Sequence, residues 1–239
     1  MSTLVLKDCT TWVDSIPLTT YANELQLTLT VDDLDVTTFG SGGFKQRAAG
    51  LRNVEADLKG FWDGAVVDAD AFANLGVINR VVSITPDGAA GSAAYLFKAG
   101  NFSYDQGGAV GAADPFTLKM MGSDGVGVVR GQLAAAKGSV SATGVLGSGQ
   151  NLGAVSSTQF LYAAFHVFPT VGTTITVLLE SDDNSGFTTP TTVATLGPLT
   201  AVGGTWMPRV AGPLTDTWFR FKVSAITGTF VVAGSIAVQ

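Results

Sequence analysis

Residues Asp35–Gly64 read DVTTFGSGGFKQRAAGLRNVEADLKGFWDG, and this stretch decides the fold. Its second half alternates: Val54, Ala56, Leu58, Gly60 and Trp62 fall on one side, and Asn53, Glu55, Asp57, Lys59 and Phe61 on the other. A period of two marks a half-buried β-strand, because successive side chains of an extended chain point to opposite faces. The first half is a glycine-rich loop carrying Lys45 and Arg47. At roughly a dozen residues it exceeds the two to five of an ordinary hairpin connection, and loops of that length are functional or disordered. A long basic hairpin on an all-β body suits gripping another subunit or a partner.

Strand patterns continue on both sides. Thr3–Lys7 forms a first short strand, and Thr10–Ala22, with Trp12, Pro17 and Tyr21, a packed loop. In Leu25–Val31 the residues Leu25, Leu27, Leu29 and Val31 point inward, and Gln26, Thr28 and Thr30 outward. Asp68–Leu75 is the single helix, with Asp68 or Asp70 as N-cap and Gly76 as its stop. Arg80–Thr85, Ser92–Lys98, Asn101–Asp105, Pro115–Met121 and Val126–Leu133 are further strands. Ala134–Gly153, small and polar, is the expected boundary. Beyond it lie Gln159–Phe168, Thr173–Ser181, Thr191–Leu196, Trp206–Val210, Trp218–Ala225 and Thr229–Val238, the pattern of an antiparallel sandwich. The fold class is therefore mainly β: a sandwich or barrel domain over 1–145 with one short helix and a long hairpin loop, then a β-sandwich over 146–239.

Composition narrows the function. Of 239 residues only 13% are charged, about half the usual share, while 46% are hydrophobic and 30 are glycine. A surface so poor in charge is either covered by neighbouring subunits or belongs to an extracellular sandwich. No apolar run approaches the roughly 18 residues of a spanning helix, and the start MSTLVLKDCTTW lacks the apolar core of a secretion signal. The expectation is a protein made and kept in the cytosol unless lysis releases it, with no membrane partner. Cys9 is the single cysteine, which leaves no intrachain disulfide. A net charge of −6 and a pI near 4.6 argue against a phosphate-gripping groove.

Candidate chemistry is sparse. His166, the one histidine, sits in the apolar run YAAFHVF, and no GxSxG elbow accompanies it, so a strand histidine satisfied by a neighbour is expected. Asp182, Asn184 and Gly186 imitate the start of a calcium loop, but Val193 stands where a bidentate Glu is needed; a polar turn is expected. Asp32, Asp33 and Asp35 suit a solvated or inter-subunit face. The clusters Gly40–Gly43, Gly107–Gly111 and Gly144–Gly149 lack phosphate-cradle patterns. The sequon Asn101-Phe102-Ser103 is incidental, and Trp62, Trp206 and Trp218 default to core roles, a sugar platform being the alternative for the latter two. No catalysis, no cofactor and no metal site is expected.

The order Asp35-Val36-Thr37-Thr38-Phe39-Gly40, a loop, Ala49-Gly50-Leu51-Arg52-Asn53-Val54, and a strand ending Gly60-Phe61-Trp62-Asp63-Gly64 resembles the major tail tube proteins of long-tailed bacteriophages. The resemblance covers about Thr3 to Leu133. The part after Gly153, entered through Ala154-Val155-Ser156-Ser157 and containing Trp218-Phe219-Arg220, is similar to the extra sandwich that some tail proteins carry outside the tube. The resemblance implies a structural virion protein of the tail, assembled in host cytoplasm, whose six-subunit rings stack into a tube that conducts double-stranded DNA during ejection without binding it specifically. Its partners would be itself and other tail proteins such as the tape measure and terminator. The loop Thr38, Phe39, Gly40, Gly42, Gly43, Phe44, Lys45, Gln46, Arg47 to Arg52 would reach a neighbouring subunit, its basic residues meeting acidic faces there. Asn53, Glu55, Asp57 and Lys59 would line the lumen. A head-decoration or baseplate protein and a carbohydrate-binding module are the alternatives.

Overall fold

The structure is a computed structural model that describes residues 9–169 and 172–239. Its strands, in chain order, are β1 (Thr10–Val13), β2 (Ile16–Pro17), β3 (Ala22–Asp35), β4 (Arg47–Phe61), β5 (Arg80–Thr85), β6 (Ala93–Gln106), β7 (Pro115–Gly122), β8 (Val129–Val140), β9 (Gly144–Asn151), β10 (Phe160–Phe168), β11 (Thr174–Asp182), β12 (Thr191–Leu199), β13 (Gly203–Trp206), β14 (Val210–Ala211), β15 (Trp218–Thr227) and β16 (Phe230–Val238). One α-helix, α1 (Val67–Ala73), lies between β4 and β5. The paired strands are antiparallel, so the mainly β reading holds. The expected strand Thr3–Lys7 lies outside the described residues.

The chain forms two compact units: unit 1 comprises Met1–Tyr21, Asn79–Lys98 and Val128–Gln239, and unit 2 comprises Ala22–Ile78 and Ala99–Gly127. This grouping differs from the expected division at 145 and 146, which falls inside β9. The segment Ala134–Gly153 is not a linker; it holds the end of β8 and all of β9. Small residues there serve close approach. Gly147 has φ +73°, and a Cβ on it would lie 2.0 Å from the Ala134 carbonyl oxygen, which only glycine avoids.

Unit 1 is a sandwich. One sheet runs β13-β10-β16-β8-β6-β5-β1-β2, and the other runs β12-β11-β15-β9. Inward residues of β10 (Leu161, Ala163, Phe165, Val167), β16 (Val232, Ile236), β11 (Ile175, Val177, Leu179) and β15 (Phe219, Phe221, Val223) interdigitate as its core.

Unit 2 is a four-stranded antiparallel sheet in the order β3-β4-β7-β6, the last contributed by Ala99–Gln106. Register aligns residues in rows across all four strands. Leu25, Leu58, Leu118 and Tyr104 form one apolar row, and Leu27, Ala56, Met120 and Asn101 the next. Rows on the other face are polar: Gln26, Asp57, Lys119, Ser103, and Glu24, Lys59, Thr117, Asp105. Helix α1 caps the apolar face. Val67 and Ala71, one turn apart, are buried, and the Tyr104 hydroxyl donates to Asp68 Oδ1 at 3.0 Å. Burial, reinforced by Asp68, pushes the Tyr104 phenol up to about 12. The helix start is held by Asp63 rather than Asp68 or Asp70: its Oδ1 accepts from the Ala65 and Val66 amides at 3.1 and 2.7 Å. Gly76 follows the helix with φ +82°, as expected.

Candidate assembly surface

Both strands around the long loop extend further than the sequence pattern implied. β3 continues to Asp35 and β4 begins at Arg47, so the loop proper is 36–46, and Arg47 and Arg52 are strand residues. The Gln46 carbonyl accepts from the Val36 amide at 2.9 Å, and the Thr37 hydroxyl accepts from the Gln46 amide at 2.9 Å, closing its neck. Gly42 and Gly43 turn the tip at φ +63° and +87°. β7 pairs β4 only over Glu55–Phe61. From Asn53 to the tip the ribbon is a two-stranded arm.

That arm is apolar where an isolated ribbon ought to be polar. Leu29, Val31, Leu34 and Val36 are about half exposed, Leu51 is largely exposed, and of the tip residues Phe39 is fully and Phe44 largely exposed. Leu29 and Val31, expected inward, share the apolar face of Val54 and Ala56 but are about half exposed. Among the described residues, the large apolar side chains left exposed all belong to unit 2 except Val145 and Val202. A second group runs from the last turn of the helix onward: Phe72, Leu75, Val77 and Ile78, joined by Phe102. Leu75 bridges Asn101, and the extra residue of the bulge between Asn101 and Ser103 is Phe102. A Cβ on Gly100 would meet Phe102 at 2.9 Å and Ile78 at 3.1 Å, which places those two side chains around one glycine. Trp62, expected in the core, is 40% exposed because β4 ends at Phe61.

Charge on the arm is spent largely within it. Lys45 faces Asp35 at 3.9 Å, and Arg47 pairs with Asp33, so these cations answer the acidic group of their own ribbon. The Thr37 hydroxyl and amide hold the Asp35 carboxyl below its usual range. Arg52, opposite Val31, makes no ion pair among the described residues. On the polar face Lys59 meets Glu24 at 2.6 Å, Lys119 meets Glu55 at 2.8 Å, and Asn53 donates to Glu55 at 2.9 Å. The Lys119 ammonium lowers the Glu55 carboxyl, and Glu55 raises Lys119 in return. Asn53, Glu55, Asp57 and Lys59 thus share one face, as their alternation implied.

The other candidates resolve into structure. His166 is fully buried: its Nδ1 donates to the Asp14 carbonyl at 2.7 Å, and the Ser83 hydroxyl donates to Nε2 at 2.8 Å. Ser83 is equally buried, so this Ser-His pair meets no solvent and no substrate. Asp182 accepts from the Asn184 and Thr189 amides at 3.2 and 2.9 Å, which is the work of a turn. Trp206 and Trp218 are half-buried, Trp206 with its ring 6.1 Å from Tyr162. A cavity of about 370 Å³ in unit 1, lined by Gly91, Arg130, Asn151 and Leu152 among others, brings a single charge and no nucleophile.

The residues missed from sequence are Leu51, Phe72, Leu75, Ile78 and Phe102. Their signal was present: each is apolar in a segment whose other members alternate or cap, with no buried partner position to fill.

No protein family and no curated protein matches the sequence. Several solved structures are similar in part. The virion of a native gene transfer agent particle gives a TM-score of 0.38 at 17% identity, over 45% of this chain and 84% of the other. The tail of an empty gene transfer agent particle, with C6 symmetry, gives 0.37 at 19%, over 44% and 78%. The SPP1 Dit protein, described as a hub adsorption apparatus in phages infecting Gram-positive bacteria, gives 0.38 at 14%, over 96% and 99%. These likenesses are low in both measures, so the functional reading rests on this chain's own residues.

Proposed function

We propose that the protein is a structural subunit of a phage-type tail, without catalysis, that polymerises as six-membered rings stacked into a tube. One observation carries the reading: among the described residues, exposed apolar side chains are concentrated on unit 2, above all along its two-stranded arm. Burying apolar surface is worth about 25 cal/mol per Å², so a surface of this kind is built to be covered.

The sheet of unit 2 supports the same conclusion. Among the described residues β3 pairs on one side only, and β6 beyond Asn101 likewise, which leaves two open edges on one four-stranded sheet. Open edges recruit further strands, and joining one copy's edge to the next copy's opposite edge removes them. Such a contact is heterologous; it closes into a ring, and a different contact along the axis stacks rings. The arm Thr38–Arg52 is assigned to a neighbouring subunit or ring through its apolar tip more than through Lys45 and Arg47. The polar face bearing Asn53, Glu55, Asp57 and Lys59 is assigned to the lumen, where an acidic excess keeps passing double-stranded DNA from adhering. The tape measure, the terminator and location in the virion tail follow from this reading.

Negative-stain microscopy of the purified chain tests it. Rings and tubes are expected; a monodisperse monomer at high concentration overturns the reading, and single rings that never stack favour a baseplate role. Replacing 38–44 by Asn-Gly abolishes tubes while the subunit keeps its melting temperature; unchanged tubes remove the arm from assembly.

A further inference from the structure

The apolar residues of the arm change sides along its length. Up to Val31 they lie on the apolar face of the unit 2 sheet: Leu27 opposes Ala56, Leu29 opposes Val54, and Val31 opposes Arg52 in the same alternation. A bulge follows, in which Asp32 stands against both Leu51 and Gly50 before pairing resumes at Asp33–Ala49. Beyond it the side that held Leu29 and Val31 carries Asp33 and Asp35, and the apolar residues are Leu34 and Val36. A Cβ on Gly50 would meet the Asp32 Cβ at 2.8 Å and the Leu34 Cγ at 3.2 Å, so Asp32 and Leu34 share the second side. Leu51, next to Arg52 in the strand, falls on that side too. A two-stranded ribbon has no interior, so apolar residues on both of its sides call for cover on both.

We infer that neighbouring copies cross their arms at the bulge, the side bearing Leu29, Val31 and Arg52 of one lying on the side bearing Asp32, Leu34 and Leu51 of the next. Charge selects a second copy of this chain as the occupant. Arg47 takes Asp33 and Lys45 faces Asp35, whereas the side chains of Arg52 and Asp32 have no ion-pair or hydrogen-bond partner among the described residues. One side of the ribbon therefore offers apolar surface with a free cation, and the other offers apolar surface with a free anion. Opposite charges meeting within such a contact fix its register. The two sides differ, so each copy presents one and accepts the other, which is the heterologous contact that closes a ring. Length also suits it. The extended run Val31–Val36 spans roughly 17 Å and the loop adds to that, against roughly 19 Å across a four-stranded sheet, so a copy joined edge to edge lies within reach. The inference rests on the ring-forming role proposed above and names the contact made by the arms.

Complementation by charge tests it. Arg52→Asp chains carry an acid on both sides of the arm, and Asp32→Arg chains a cation on both, so each variant alone is expected to lower the assembled fraction by at least about tenfold. Mixed one to one, the two variants meet acid to cation at every contact, and assembly is expected to return to the parent's level. Both positions are exposed in the subunit, so the melting temperature is retained. Assembly at the parent's level in both single variants overturns the proposal, and so does a mixture that assembles no better than its components. Cross-linking is the independent measurement, with Cys9→Ser removing the native thiol. Chains carrying Val31→Cys, mixed with chains carrying Leu34→Cys and oxidised under assembly conditions, are expected to give a disulfide-linked heterodimer that neither variant gives alone. Cross-links within one variant overturn the proposal, because they indicate a like-to-like contact. Rings that form without any such cross-link overturn this contact and leave the ring-forming role standing; a parent chain that never assembles defeats both.

Discussion

His166 is tied into a chain of buried polar groups in unit 1. Arg80 Nε donates to Asp14 Oδ2 at 2.8 Å, the Val81 amide donates to Asp14 Oδ1 at 2.9 Å, and the Asp14 carbonyl accepts from His166. Asp14 holds φ +52°, a conformation these bonds sustain. Burial pushes the imidazole down to about 4 from an ordinary value of 6.5, the bond to Asp14 only partly opposing it. The sign follows from linkage. Above pH 6.5 the ring is neutral folded and unfolded, and the full stability is present. As pH falls from 6.5 towards 4, the unfolded chain takes up a proton that the folded chain refuses, and stability is lost by about 2–3 kcal/mol at pH 4.5. His166→Gln is expected to be less stable than the parent at pH 7 and to lose less on acidification. Denaturant midpoints at pH 7 and 4.5 measure both, and parallel losses in parent and variant place the acid sensitivity elsewhere. The sequence anticipated a strand histidine satisfied by a neighbour; it could not name Ser83 and Asp14, which lie 83 and 152 residues away in the chain.

Elements were legible where side chains alternated and obscure where they were small. β5 falls on Arg80–Thr85 as expected, and β4 shows its alternation, because large and polar residues record the two faces of a strand. β8 and β9 run through alanine, glycine and serine, which carry no such record, and the stretch resembled a linker. Its glycines have a packing reason instead. Gly147→Val would set a β-branched side chain into the Ala134 carbonyl at a left-handed φ, so it is expected to cost more than 2 kcal/mol, on the order of a core defect. Gly153→Ala has φ +76° but open space around it and should cost about 1 kcal/mol. Equal melting temperatures for the two variants would show that backbone conformation and not close approach governs β9. The arm was legible in part. Its length and glycines announced a projecting hairpin, but pairing beyond Val31 was hidden by the bulge between Val31 and Asp33, which breaks the alternation on which strand ends are judged.

The sheet of unit 2 has one apolar and one polar face, and the polar face makes the lumen assignment testable. Two of its acids are answered by lysines, Glu24 by Lys59 and Glu55 by Lys119, so Asp57 and Asp105 carry its remaining negative charge. If this face lines a conduit, reversing that charge turns a sliding surface into an adhesive one, since each added lysine recruits phosphate and releases a counterion. Tubes of Asp57→Lys/Asp105→Lys, assembled with short double-stranded DNA, are expected to retain it and to release it as salt rises from about 50 to 200 mM. Parent tubes retain none. The location of the retained DNA decides the point, because lysines on an outer wall would also bind. DNA enclosed in a lumen survives added nuclease, whereas DNA on the outside is digested. Protected DNA in the variant and none in the parent supports the assignment. Fully digested DNA places the polar face outside the tube, and the apolar face with α1 then has to turn inward, which the exposed Phe72 of α1 argues against because a wetted channel gives it no cover.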